Sequence, residues 1–334
     1  MRARLRGPVS RLSRLLRLSL PAALLFAAAC GGPAREDGGG GASSPPGFPV
    51  TVDNCGVETV YERPPRRAVT LNQHVTEIML ALGLEKSMAG TGYLDDEVLP
   101  AYREAYDGID VIADEYPSYE TLLAAEPDFV YGGFASAFEE GRGRDALAGA
   151  GIDSYLSLEE CADPPVTVDL LDREIRTVAE VFGVPRRAEK LLGEAHATLA
   201  AVREAVAGAE PAEVFVYDSG DKTAFTAGGA GIGNEIIRRA GGRNVFADVG
   251  KPFGDVSFEQ VAARAPDVVV IYDYGDRSVA DKKRFLLSHP ALQDVPAIRN
   301  ERFAVLPLSA TVLGVRVPEA VDSLARQLHP DLFR

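Results

Sequence analysis

Ser118 to Tyr131 reads SYETLLAAEPDFVY, and Ser257 to Val270 reads SFEQVAARAPDVVV. Each segment opens on Ser-aromatic-Glu, runs through apolar residues at helical spacing, and passes Pro-Asp into an apolar run of strand character. Ser118 and Ser257 are suited to cap helix N-termini, and the glutamate two places on favours the helix dipole. The segment therefore predicts a capped helix delivered into a buried strand, once in each half of the chain.

The duplication extends outward. TEIMLALGLEKSMAGTG (Thr76 to Gly92) pairs with NEIIRRAGGRNVFADVG (Asn234 to Gly250), sharing Glu77/Glu235, Ile78/Ile236, Gly83/Gly241, Ala89/Ala247 and Gly92/Gly250. Two matches in the same order point to two similar α/β lobes. Short β-rich runs at Val69 to Leu71, Phe129 to Tyr131, Val214 to Tyr217 and Val268 to Tyr272 suit buried parallel strands. Between the halves, Val168 to Phe182 is helically periodic. Pro185 then begins a second helix to about Ala207, a stiff strut of roughly 30 Å at 1.5 Å per residue.

The 334 residues carry 35 Lys+Arg against 49 Asp+Glu, a net charge of −14. That acidity argues against a nucleic-acid partner. The front of the chain differs: residues 1–29 hold six arginines, no acid and an apolar run from Leu18 to Ala29. A basic region followed by about 12 apolar residues reads as an export signal, too short for a comfortable membrane span. Ala27-Ala28-Ala29-Cys30 resembles the lipobox of bacterial lipoproteins, with Ala27 where leucine is usual. That resemblance implies lipidation of Cys30; the alternative is an ordinary signal with a cysteine nearby. Removing residues 1–29 leaves 29 basic against 49 acidic residues, a net charge of −20. Residues 30–55 read as a tether, rich in Gly, Pro, Ser and Ala from Gly31 to Pro49. The remaining cysteines, Cys55 and Cys161, are an even pair in an oxidising compartment and are expected to form a disulfide, with two buried thiols as the alternative.

Four strings, RRAVTLNQHVTEIMLALGL, PSYETLLAAEPDFVYGG, AFTAGGAGIGNEIIRRAGGRNVF and VSFEQVAARAPDVVVIYD, occur in that order. Together they resemble the periplasmic binding proteins for iron chelates and cobalamin that feed ABC importers, from about Gly56 to the C-terminus. The resemblance implies a class III fold: two Rossmann-like lobes, residues 56–184 and 209–334, joined by one long helix at 185–208, with ligand held between them. It also implies that exposed Glu120 and Glu259, one per lobe, dock onto arginines of the permease dimer; read alone, both simply favour their helix N-termini.

Ligands of open α/β sheets bind at strand-end loops. In the first half these loops offer Asn72, Gln73, His74, Tyr93, Tyr116 and the GGFASAF stretch with Phe134 and Phe138. In the second they offer Asp221-Lys222, Tyr272-Asp273-Tyr274 and Ser309 to Arg316. Aromatics with a few cations suit a bulky chelate, and Arg316 and Lys222 are the candidates for anionic oxygens. With four histidines in the chain, His74 alone builds no site for a bare Zn or Mn ion, so no directly bound metal and no cofactor is expected. Iron would enter only inside the ligand.

The glycines from Gly228 to Gly233 lack the dinucleotide spacing, because Asn234 stands where the last glycine belongs. No G-x-S-x-G, P-loop or H-E-x-x-H occurs. The expected protein is therefore no enzyme. It is a monomeric, lipid-anchored substrate-binding protein on the extracytoplasmic face of the cell membrane, capturing a ferric siderophore for an ABC permease dimer with a cytoplasmic ATPase. Cobalamin, haem and a deazaflavin cofactor precursor are the alternative ligands.

Overall fold

Both copies of the Ser-aromatic-Glu segment fold alike. In the computed structural model, which describes residues 44–333, Ser118 Oγ accepts from the Thr121 N–H at 3.1 Å. Ser257 Oγ accepts from the Gln260 N–H at 3.2 Å, and the Gln260 side chain returns the bond to the Ser257 amide. Each cap opens a short helix that leads into a strand. The export signal (residues 1–29) and Cys30 lie outside the described residues.

The first lobe begins with a hairpin, β1 (Val50–Asn54) and β2 (Val57–Tyr61). It continues as β3 (Ala68–Leu71), α1 (Gln73–Ala81), β4 (Met88–Gly92), α2 (Arg103–Tyr106) and β5 (Val111–Ala113). After these come α3 (Tyr119–Ala124), β6 (Phe129–Gly132), α4 (Arg144–Gly149) and β7 (Asp153–Leu156). Two helices cross to the second lobe, α5 (Val168–Val181) and α6 (Pro185–Ala205). That lobe holds β8 (Ala212–Tyr217), β9 (Ala224–Ala227), α7 (Ile232–Arg239), β10 (Gly242–Asn244), β11 (Phe253–Val256) and α8 (Phe258–Arg264). It closes with β12 (Val268–Asp273), α9 (Val279–Ser288), α10 (Pro296–Arg299), β13 (Phe303–Pro307) and α11 (Val317–Leu328).

The internal repeat is visible in the topology. The first sheet is ordered β5-β4-β3-β6-β7 and the second β10-β8-β12-β13, every ladder in both being parallel. Setting β3 on β8, β4 on β10, β6 on β12 and β7 on β13 superposes the two orders, and then α1 matches α7 and α3 matches α8. The lobes differ by the extra edge strand β5 and by the antiparallel pair β9–β11.

Strand alternation divides the core. Phe129 and Tyr131 of β6 face one hydrophobic cluster while Val130 faces another, and Val268 and Val270 of β12 are likewise separated from Val269 and Ile271. The first of these clusters runs unbroken from β6 through Ala188, Leu192, Leu199 and Val202 of α6 to Val214 and Val216 of β8. The linking helix is thus part of a core that both lobes share. Hinging the lobes would have to break it.

One boundary is corrected. The tether does not extend to residue 55, because Val50–Asn54 pairs in register with Val57–Tyr61 and buries Val52 and Tyr61. Cys55 (φ 54°) and Gly56 (φ 78°) supply the left-handed turn between them. The hairpin is held to the first sheet by Asn54, whose side-chain amide exchanges hydrogen bonds at 2.8 Å with the Leu156 N–H and C=O. The Cys55–Cys161 disulfide closes at a Cα separation of 5.5 Å. Closing a loop of 106 residues contributes about 4–5 kcal/mol in the chain-entropy description.

Candidate functional site

The loops at the carboxyl ends of the two sheets meet, and the residues that join them are largely polar. Arg316, just before α11, extends its guanidinium to Glu77 of α1: Nε donates to Oε2 at 2.7 Å and Nη2 to Oε1 at 2.5 Å. The same group donates to Ser309 Oγ at 2.9 Å and to the Glu97 carbonyl at 2.7 Å. Ser309 in turn donates to Asp96, whose N–H and carboxylate are engaged by Gln73 at 2.8 and 2.6 Å. On the other side of the junction, Glu159 of the loop after β7 accepts from the Leu313 N–H at 2.8 Å. The carboxylate of Glu159 lies deep among protein atoms although the residue keeps some surface, and burial pushes its pKa up to about 7.

Three of the ligand candidates accordingly take other roles. Arg316 is consumed by a buried ion pair between the lobes, so its fork is not open to an anion. Gln73 is fully engaged by Asp96 and the Glu97 carbonyl. His74 is 2% exposed and lies between two glycines: a Cβ at Gly133 would fall 2.3 Å from its Cε1, and one at Gly314 would fall 3.0 Å from its Cβ. Its ring packs on Phe134 at a centroid distance of 5.0 Å. Burial lowers its pKa to about 4, against the opposing pull of the Gly133 backbone, so the imidazole is neutral at pH 7.

Of the remaining first-lobe candidates, Tyr93, Tyr116 and Asn72 form a connected wall. The rings of Tyr93 and Tyr116 pack at a tilt of 31° with centroids 4.5 Å apart. Tyr116 Oη donates to Asn72 Oδ1 at 3.0 Å and lies 2.9 Å from Ser136 Oγ. Asn72 is fully buried, holds φ at 93°, and its Nδ2 has no partner. Strain of that kind in a non-glycine residue costs of order 1–3 kcal/mol. Behind the wall Arg142, 3% exposed, donates to the carbonyls of Pro117, Ser136 and Ala137 and so fixes the loop after β5 to the loop after β6.

In the second lobe Tyr274 donates to Asp218, and the two are backed by Lys282, whose Nζ bonds the Tyr272 carbonyl at 2.6 Å and lies 4.6 Å from the Tyr274 ring centroid. Burial, then the Asp218 hydrogen bond, pushes the Tyr274 phenol up to about 12. Lys222 stands exposed on the loop after β8. Glu120 and Glu259 are exposed in the first turns of α3 and α8, at equivalent places in the two lobes. The glycine run after β9 is a packing device: a Cβ at Gly228 would lie 2.2 Å from the Lys251 carbonyl oxygen, and one at Gly229 2.0 Å from that of Ala247.

The model for the family described as periplasmic binding protein matches residues 69–310, from β3 into the loop after β13. The chain belongs to the periplasmic binding protein family. It is similar to an uncharacterized ABC transporter substrate-binding lipoprotein of Bacillus subtilis, YvrC, at 25% identity over 292 residues, covering 86% of this chain and 88% of that one. It is 28% identical to a vitamin B12-binding protein of Yersinia pestis over 210 residues, 61% of this chain and 69% of the relative. Among solved structures, an ABC-type Fe3+-hydroxamate transport system protein from Saccharomonospora viridis superposes with a TM-score of 0.70 at 26% identity, covering 86% of this chain and 99% of that one. The periplasmic binding protein family is one of ligand capture, not catalysis, and the two parallel-sheet lobes are those of its class III members.

Sequence reasoning missed Glu77, Asp96 and Glu159, and offered Ser309 only as the start of a candidate ligand loop. Glu77 did carry a signal, as a carboxylate kept in both copies of the repeat. Its counterpart Glu235 also pairs with arginines, Arg238 and Arg239, but within its own helix.

Proposed function

We propose that this periplasmic binding protein captures a ferric siderophore between its lobes and presents it to an ABC permease dimer through Glu120 and Glu259. Cys30 anchors it by lipid to the extracytoplasmic face of the membrane, residues 1–29 having been removed. The protein acts as a monomer, and a cytoplasmic ATPase supplies the energy of transport. The domain layout that serves this role is a first lobe to residue 184, a linking helix at 185–208 and a second lobe from 209. The carrying observation is the set of aromatics at the strand ends of the first lobe, the Tyr93–Tyr116 pair and, against His74, Phe134, with Tyr274 at the corresponding edge of the second. Such a set matches the hydrocarbon shell of a metal chelate. The hydroxamate-transport protein with the same fold supports iron as the cargo, and the vitamin B12-binding relative supports cobalamin as the second reading.

Thermal unfolding of residues 31–334 against ferric hydroxamates, ferric catecholates, haem and cobalamin tests this. A ligand at 100 times its Kd adds about 2.7 kcal/mol of stability. A shift with a ferric chelate that its iron-free form does not give is the expected result. A response to cobalamin alone would favour the second reading, and silence across the panel would contradict capture of either.

A further inference from the structure

The strand-end loops hold five basic side chains whose engagement can be followed one by one. Arg316 is bound to Glu77, Ser309 and the Glu97 carbonyl. Arg142 is bound to three carbonyls. Arg277 donates to Asp221 at 2.8 Å and to Tyr217 Oη at 3.2 Å. Among the described residues of these loops, Lys222 and Lys251 are the cations left over, both exposed and both on the second lobe. The buried Lys282, from α9 behind the loops, is taken by the Tyr272 carbonyl.

One carboxylate of the first lobe is not so neutralised. Asp95 and Asp96 adjoin in the loop after β4, near Tyr93. Asp96 is held by Gln73, Ser309 and, at 3.5 Å, Arg316, whereas Asp95 forms no ion pair among the described residues, and burial followed by the neighbouring charge of Asp96 raises its pKa. Asp273 is exposed at the end of β12, beside Tyr274. An anion entering between these edges would meet like charge and find no unengaged arginine. Recruiting Arg316 to it would strand Glu77, which is 1% exposed, as a buried unpaired charge. Two solvated lysines are weak compensation, being hydrated point charges on flexible stems.

Resting on the proposed function, we infer that the cleft selects an uncharged chelate and discriminates against anionic ones. Aromatic faces take its hydrocarbon surface, and the spent cations leave nothing to reward negative charge. A ferric trihydroxamate is uncharged because three singly ionised hydroxamates balance the ferric ion, whereas a ferric tricatecholate is trianionic. Cobalamin is a second uncharged source and haem, through its propionates, a second anionic one.

Equilibrium titration of residues 31–334 with these four ligands separates the cases. The ferric trihydroxamate or cobalamin should bind at least about tenfold more tightly than either anionic ligand, with an affinity that changes little between low and high salt, since screening acts on charge. Which of the two uncharged ligands binds identifies the source. In Asp95→Lys the gap to the tricatecholate should narrow. Tricatecholate or haem binding as tight as the uncharged ligands, weakening as salt rises, would overturn the inference while leaving chelate capture standing. No binding in any arm would overturn capture itself, and the inference with it.

Discussion

Glu77→Ala lowers the stability of the folded body by about 3–5 kcal/mol, the usual cost of removing one partner from a buried ion pair. The measurement is urea unfolding, in which the midpoint falls while the slope is unchanged. The size follows from what the substitution strands. Arg316 is 8% exposed and would keep Ser309, the Glu97 carbonyl and, at 3.5 Å, the partly exposed Asp96 carboxylate, but lose both bonds to Glu77, and the Leu99 N–H would lose its acceptor at 2.9 Å. Replacing the pair together, Glu77→Leu with Arg316→Met, should recover most of the loss, because apolar pairs of similar volume often substitute for buried ions without penalty. A cost below about 1 kcal/mol for Glu77→Ala, the range of exposed ion pairs, would show that water reaches the junction and that the pair does not hold the lobes together.

Changing Glu120 and Glu259 together to Ala should abolish ligand uptake in cells while leaving ligand affinity unchanged. Each glutamate is exposed in the first turn of a serine-capped helix, and neither is needed for its cap, which Ser118 and Ser257 make with backbone amides. Their equivalence under the internal repeat gives each lobe the same acidic feature, as a permease built from two copies of one subunit would require. Hydrogen bonds to charged groups are worth about 1.5–3 kcal/mol each, so losing two should weaken docking by a hundredfold or more. Each single variant should retain partial uptake. A fall in ligand affinity would instead place the glutamates in the pocket, and full uptake by the double variant would remove them from docking.

Local patterns carried most of the fold. The Ser-x-x-Thr and Ser-x-x-Gln caps, the Pro-Asp turns and the apolar strands sit within one helix–strand unit, so short-range chemistry specifies them. Pro185 marked the start of the linking helix for the same reason, and two exported cysteines sufficed to expect the disulfide. The β1–β2 hairpin went unread because its alternation is only five residues per strand and follows a Gly- and Pro-rich run. The site was legible only in part. The strand-end positions of Tyr93, Tyr116, Phe134 and Tyr274 were readable, their contact with ligand being a proposal, but the fates of Arg316, Gln73 and His74 depend on partners that no local pattern reveals. Arg316 and Glu77 are 239 residues apart, in different lobes. An arginine in a strand-end loop reads as an anion receptor until the carboxylate it already holds is seen.

Capture of a metal chelate between the lobes is tested most directly by ligand affinity in a Tyr93→Ala, Tyr274→Ala double variant. The titration would use whichever chelate stabilises the wild-type protein. Tyr93 lies outside the shared core and Tyr274 packs only against its edge, so the fold should persist, with unliganded thermal unfolding as the check. Removing an aromatic anchor from each lobe costs about 2 kcal/mol or more apiece. The expected result is an affinity loss of at least about a hundredfold, with both residues contributing. Unchanged affinity in a folded double variant would contradict capture between the lobes and place the ligand elsewhere on the molecule.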